Sequence, residues 1–151
     1  MDPGDAGGMT TAIDTNVIVA LWDHDARVSS AAQAALDGAL QQGPLVVGAA
    51  VFSELMAAPG RSESFLDSFF RETGIILDWN VNESIWRTAG RAFAKYAARR
   101  RKQGDTGPRR ILADFLIGAH ALCQADQLLT RDRGFYRSCF KRLAIQDPSK
   151  T

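Results

Sequence analysis

Cysteine is scarce in this chain, with Cys123 and Cys139 the only two in 151 residues. Neither takes part in a CxxC pair or a Cys/His cluster, which excludes a disulfide framework and a zinc ribbon and suits a reducing cytoplasm. No stretch approaches the ~18 consecutive apolar residues of a membrane-spanning helix, so no membrane association is expected. The start, Met1 to Gly8, carries Asp2 and Asp5 where a secretory leader would be basic and apolar; it reads as a flexible tail, with Met9 a second candidate initiator. His24 and His120 are the only histidines and sit at no metal-ligand spacing. Long polar and low-complexity tracts are missing too. With 46% hydrophobic residues, the length fits one domain with a sizeable core over residues 9–147 and a short C-terminal tail at 148–151.

Net charge is also nearly absent, at +1, but its distribution is uneven. Arg87 to Arg142 carries a balance of +10, and the remainder a balance of −9. The densest basic stretch is Lys95, Arg99, Arg100, Arg101 and Lys102, followed by Arg109 and Arg110, then Arg131, Arg133, Arg137, Lys141 and Arg142. Such density suits a polyphosphate partner. A solvated helix end, favoured by the helix dipole, would also account for part of it.

Strands and helices alternate along the chain. Thr11 to Asp14, Leu45 to Val47, Ile75 to Leu77, Leu128–Leu129 and Leu143 to Ile145 read as short strands. Between them lie helical patterns: Val17 to Leu21, Ser29 to Gln42 ended by Gly43 and Pro44, a short helix with Phe52, Glu54 and Leu55, and one with Phe65, Leu66, Phe69 and Phe70 ended by Gly74. Asn82 caps a long helix running into the Arg99 to Lys102 cluster. Ile111 to Ala125 is apolar around most of its circumference, except for Asp114, which heads a track of small residues, Gly118, Ala121 and Ala125, suited to close backbone approach. A short aromatic helix around Phe135 and Tyr136 follows. This alternation predicts an α/β fold with a mainly parallel sheet of four to five strands, covered on both faces.

Four acids stand at the edges of these apolar segments: Asp14, Glu54, Asp114 and Asp132. Parallel strands end on one edge, where ligands bind, and helices that begin there can aim a carboxylate into the same crevice. A carboxylate at the end of a buried strand costs free energy unless something positive meets it, so four together suggest a divalent metal. Each also has an ordinary explanation. Asp14 can cap a helix, Asp132 can sit in the turn before Gly134, and Glu54 can be an exposed helical glutamate. Asp23, Asp25, Asp37, Asp67 and Glu72 fall on polar faces or loops, and Asp78, Asp105 and Asp126 read as turn residues. His24 and His120 read as incidental, and Trp22, Trp79 and Trp86 as core or interface residues.

Ile13-Asp14-Thr15-Asn16, Glu54-Leu55, Ala113-Asp114 with its small-residue helix, and Leu128 to Phe135 together resemble the PIN-domain ribonucleases, most closely the VapC-type toxins of toxin-antitoxin pairs. The resemblance spans roughly Met9 to Asp147. It implies a PIN-like three-layer α/β/α sandwich, with Asp14, Glu54, Asp114 and Asp132 as the catalytic acids. Asp14 and Asp114 would be direct metal ligands, Asp132 a direct or water-mediated one, and Glu54 a general base or a support for water. Asn16 and Thr130 would orient them, with Mg²⁺ or Mn²⁺ as cofactor. Clustered carboxylates holding such an ion can activate water against an RNA phosphodiester. Arg109, Arg110, Arg131 and Arg133 are the cations nearest the acids in sequence and the expected RNA contacts. The resemblance further implies a VapB-type antitoxin whose C-terminal segment inserts an arginine among the acids, and a homodimer. Phe65, Phe69 and Phe70 could line a groove for that segment or simply pack in the core. The departures from pattern are the long basic connection after Asn82 and the glycine-containing start. Two other classes stay open: a PIN-like RNA- or protein-binding module, and a phosphatase of the haloacid dehalogenase type. The phosphatase needs an acid two residues after Asp14, where this chain has Asn16.

Overall fold

A computed structural model describes residues 8–104 and 107–150. The tail expected at Met1 to Gly8 falls almost wholly outside them, as does the turn expected at Asp105. Five short strands, β1 (Thr11–Ile13), β2 (Leu45–Gly48), β3 (Ile76–Asp78), β4 (Gln127–Leu129) and β5 (Ala144–Gln146), form one parallel sheet in the order β3-β2-β1-β4-β5. The α/β class and the parallel sheet are as expected.

Among the described residues, seven α-helices connect the strands: α1 (Thr15–Leu21), α2 (Ala26–Gln42), α3 (Ala49–Met56), α4 (Glu63–Thr73), α5 (Glu83–Gln103), α6 (Leu112–Gln124) and α7 (Arg133–Cys139). From β1 the chain steps outward to β2 and β3, then returns across the sheet to β4 and β5. Crossovers between parallel strands are right-handed as a rule, which assigns the helices of the outward and return legs to opposite faces. α1 lies on α2 and α3, α5 lies on α6 and α7, and α3 also meets α6.

The central strands are buried because both faces are covered. Ala12, Ile13, Val47, Leu128 and Leu129 join Val17, Ile18, Leu55, Leu66, Ile85 and Phe115 in one core. Local signals end the helices where the chain must turn. Ser62 accepts from Phe65 N at 3.1 Å, and Asn82 from Ile85 N at 3.1 Å, each satisfying a donor in a helix's first turn. Gly74 and Gly104 cap α4 and α5 with φ of 74° and 61°, a conformation that glycine adopts without penalty.

Two local expectations change. Ile111 and Leu112 are exposed, so α6 is buried only from Phe115 onward. Its small-residue track admits an aromatic ring rather than backbone: a Cβ on Gly118 would stand 2.7 Å from Cδ2 of Phe140. Residues Pro148–Lys150, within the expected C-terminal tail, form a 3₁₀ turn packed on α2, with Pro148 buried.

Candidate active site

The sheet order places the reversal of chain direction between β1 and β4, the position where open parallel sheets form a crevice at their C-terminal edge. Asp14 follows β1 there, and Thr130 and Asp132 follow β4. Asp14 is 5% exposed and Thr130 is fully buried. The Thr130 hydroxyl donates to Asp14 Oδ2 at 2.7 Å and accepts from Asp132 N at 3.0 Å, joining the two strand ends. Asn16 reinforces the joint: its Oδ1 accepts from Arg131 N at 3.0 Å, and its Nδ2 lies 3.5 Å from Thr130 Oγ1. Asn16 therefore serves as a cross-strand clasp at the position where a haloacid dehalogenase-type phosphatase would carry its second acid.

Two helices bring the other acids. α3 carries Glu54, whose Oε1 accepts from the Thr15 hydroxyl at 2.6 Å. α6 carries Asp114 in its first turn, where Oδ2 accepts from Ile111 N at 3.1 Å and supplies an otherwise open helical donor with an acceptor. Burial pushes the Asp14 carboxyl up to about 6; hydrogen bonds from Thr130 and the Thr15 backbone oppose the rise, and the charges of Glu54 and Asp114 add to it. The rise is set mainly by the loss of water around Asp14, with the neighbouring carboxylates adding to it.

Tyr136 completes the floor. It is 1% exposed, and the charge of Asp14 acts on its phenol. Desolvation first, then the charges of Asp14 and Asp114, push its proton affinity far up, so it remains a neutral donor at any ordinary pH.

One cation enters the cluster from within the chain. Arg110 donates through both terminal nitrogens to the two carboxylate oxygens of Asp132, Nη2 at 3.4 Å from Oδ1. Its guanidinium lies 4.4 Å from the centre of the Phe135 ring, and its backbone N donates to Tyr96 Oη at 2.9 Å. Although partial desolvation opposes it, the hydrogen bond and charge of Asp132, with the charge of Asp114, hold the guanidinium firmly protonated. Of the other expected RNA contacts, Arg109 and Arg131 are exposed and Arg133 is half-buried.

All four acids thus reach one neighbourhood. Among the described residues, however, no three carboxyl, imidazole or thiol groups close around a single ion. The reason is visible in their partners: Asp132 is turned to Arg110, Glu54 to Thr15, and Asp114 to the α6 terminus. An all-oxygen donor set of clustered carboxylates, one with a raised proton affinity, nonetheless fits a hard divalent cation.

Sequence reasoning missed three features here. Thr15 holds Glu54, Tyr136 faces Asp14, and His120 pairs with Asp78. The last joins α6 to the end of β3: His120 Nε2 and Asp78 Oδ2 are 2.9 Å apart, with the imidazole buried. Desolvation would raise the Asp78 carboxyl, but the hydrogen bonds from His120 and Asn80 N outweigh it and hold the carboxyl below its ordinary value. Asp78 and His120 are therefore a structural pair, neither a simple turn residue nor an incidental histidine.

Residues 11–141 match the sequence profile of the PIN domain. The chain belongs to the PIN-domain family. PIN domains are nucleases, and the four acids of this one are gathered at the sheet edge described above. No curated protein sequence matches it. Among solved structures, this PIN domain is similar to VapBC-1 from nontypeable Haemophilus influenzae, with 22% identity, TM-score 0.64, and coverage of 93% of this chain and 99% of that one. It is also similar to VapBC2 from Rickettsia felis bound to a promoter DNA fragment, with 18% identity, TM-score 0.63, and coverage of 92% and 98%. A third similar structure is a toxin-antitoxin complex from Klebsiella pneumoniae, with 16% identity, TM-score 0.59, and coverage of 91% and 97%.

Proposed function

We propose that this PIN domain is a metal-dependent endoribonuclease acting as the growth-inhibiting toxin of a VapBC-type pair in the cytoplasm. The buried Asp14 carries this reading. It is held by Thr130 at the β1–β4 switch point, and burial first, then the charges of Glu54 and Asp114, raise its proton affinity. Asp14 and Asp114 would hold Mg²⁺ or Mn²⁺, with Asp132 joining when Arg110 releases it. When bound, the ion supplies an activated water and charge neutralisation at the scissile phosphate. Thr130 fixes the Asp14 oxygen that faces β4. Tyr136 stays a proton donor, and Glu54, steadied by Thr15, is the carboxylate positioned to take a proton from water.

The antitoxin half of the reading rests on surface chemistry as well as on the similar complexes. Trp22 meets Phe65 and Phe69 edge-on at 5.6 and 5.4 Å, with the Arg61 guanidinium 4.6 Å from the Trp22 ring. Phe65, Val19 and Met56 are exposed, while Phe70 is buried in the core. Part of the aromatic helix therefore faces outward, as a groove for an antitoxin segment requires. Arg110 already places a guanidinium on Asp132, as the family resemblance implies for an antitoxin arginine.

The test is incubation of the purified chain with total RNA and Mg²⁺ or Mn²⁺. Cleavage that EDTA abolishes and that Asp14→Asn lacks, with an unchanged circular dichroism spectrum, is the expected result; full activity of Asp14→Asn overturns the assignment. The Arg110–Asp132 pair favours a second reading, a PIN-like binding module, which predicts RNA or protein binding without cleavage under every metal condition.

A further inference from the structure

We propose that the cleft between α5 and α7 is a single-strand RNA track that leads the phosphate backbone to the acidic site. This extends the ribonuclease reading and rests on it. One stretch of the cleft, about 440 Å³, is lined by Arg91, Lys95, Arg99, Lys141 and Arg142 together with apolar and neutral polar groups, and among the described residues no carboxylate lines it. A second stretch, about 510 Å³, shares Arg99, Ser138 and Cys139 with the first and extends to Arg110, the residue paired with Asp132. Among the described residues, it too is lined by no carboxylate. The two form one path along α7, whose first residue follows Asp132 and whose last is Cys139, a helical rise of about 10 Å.

The arrangement costs the folded chain something. Arg91, Lys95 and Arg99 recur every four residues on one face of α5, a spacing at which like charges repel. Arg27 and Arg87 are paired with Asp25 and Glu83, whereas the hydrogen bonds of Arg91 and Arg99 go to the neutral Thr88 and Cys139. Helix-dipole stabilisation explains cations in the last turn of α5, but not Arg91 and Lys95 further back. Arg100 belongs to the wall: it donates to Gly107 O at 2.7 Å and Pro108 O at 3.3 Å. A row of exposed cations without carboxylates, ending at a nuclease site, matches a polyanionic backbone.

The experiment measures binding of a fluorescein-labelled mixed-sequence RNA 20-mer to the full chain in EDTA, by anisotropy, from 50 to 250 mM KCl. The variant carries Arg91→Ala, Lys95→Ala, Lys141→Ala and Arg142→Ala; the control carries Arg27→Ala, Arg71→Ala and Arg87→Ala. At about 0.7 per phosphate contact, four lost contacts should lower the slope of log K against log salt by about 2.8. Affinity at 100 mM salt should fall more than tenfold, with the control near wild type. In a Cys123→Ser chain, the RNA should also slow alkylation of Cys139, which lines both stretches. An unchanged slope with unprotected Cys139 overturns the track, as does protection by an acidic peptide but not by RNA. Because no metal is present, these results are independent of cleavage. Loss of the track would leave the Asp14 assignment standing, and a catalytically inert chain could still show it.

Discussion

Replacing Asp14 with Asn should stabilise the metal-free protein, by an amount that depends on pH. A carboxyl raised from 3.8 to about 6 binds its proton more tightly folded than unfolded. Its contribution to stability is therefore fully present below the unfolded value and is lost as pH rises through the folded one. At 1.36 kcal/mol per unit, the ionised carboxylate costs about 3 kcal/mol by pH 7 and about 1 kcal/mol at pH 4.5. Asn keeps the acceptor for Thr130 and cannot ionise. The stability gap between Asp14→Asn and wild type should thus widen by about 2 kcal/mol from pH 4.5 to pH 7, or about 4–8 °C in Tm. Comparing the two pH values cancels the fixed difference between an amide and a protonated acid. The assay is thermal or urea unfolding of both proteins in EDTA at each pH. A gap that stays constant or narrows would refute the argument that burial and neighbouring carboxylates disfavour the Asp14 charge.

Gly118→Val should destabilise the fold by about 1–3 kcal/mol in urea titrations, because the added atoms collide with the Phe140 ring. Asp78→Asn should lose about 1–3 kcal/mol near pH 7 by weakening the bond to His120. Because the Asp78 carboxyl is held below its ordinary value, that contribution is present above the unfolded value and lost as pH falls through the folded one, so the variant and wild type should converge in acid unfolding curves. Arg110→Met should cost about 1 kcal/mol or less, since the ion pair is about a third exposed, and should tighten Mn²⁺ binding in calorimetry by freeing Asp132.

The parts of this molecule legible in its sequence are those set by local chemistry. Short apolar runs such as Thr11 to Asp14 and Leu128–Leu129 announce strands, Gly43, Gly74 and Gly104 mark helix ends, and Asp14, Glu54, Asp114 and Asp132 mark one edge of the sheet. What stayed hidden depends on which side chains meet after folding. His120 and Asp78 are 42 residues apart, and each alone looks ordinary. Tyr136 reads as one more core aromatic until its phenol is placed beside Asp14. Arg110 and Arg109 are equivalent in composition, yet one reaches Asp132 while the other faces solvent. The amphipathic pattern of α6 overstates its burial, because periodicity registers apolar residues without revealing that Ile111 and Leu112 precede the packed turns.

The Thr130–Asp14 bond closes between residues 116 apart in sequence. Synthesis must therefore deliver β4 before the two strand ends can meet, and domains acquire order as the chain emerges from its N-terminus. A translation product stopped before Gln127 would contain Asp14, Glu54 and Asp114 but neither the hydroxyl that aims Asp14 nor Asp132. Under the proposed ribonuclease function, such a fragment would lack the complete acidic site, which is assembled only once β4 and Asp132 have been made.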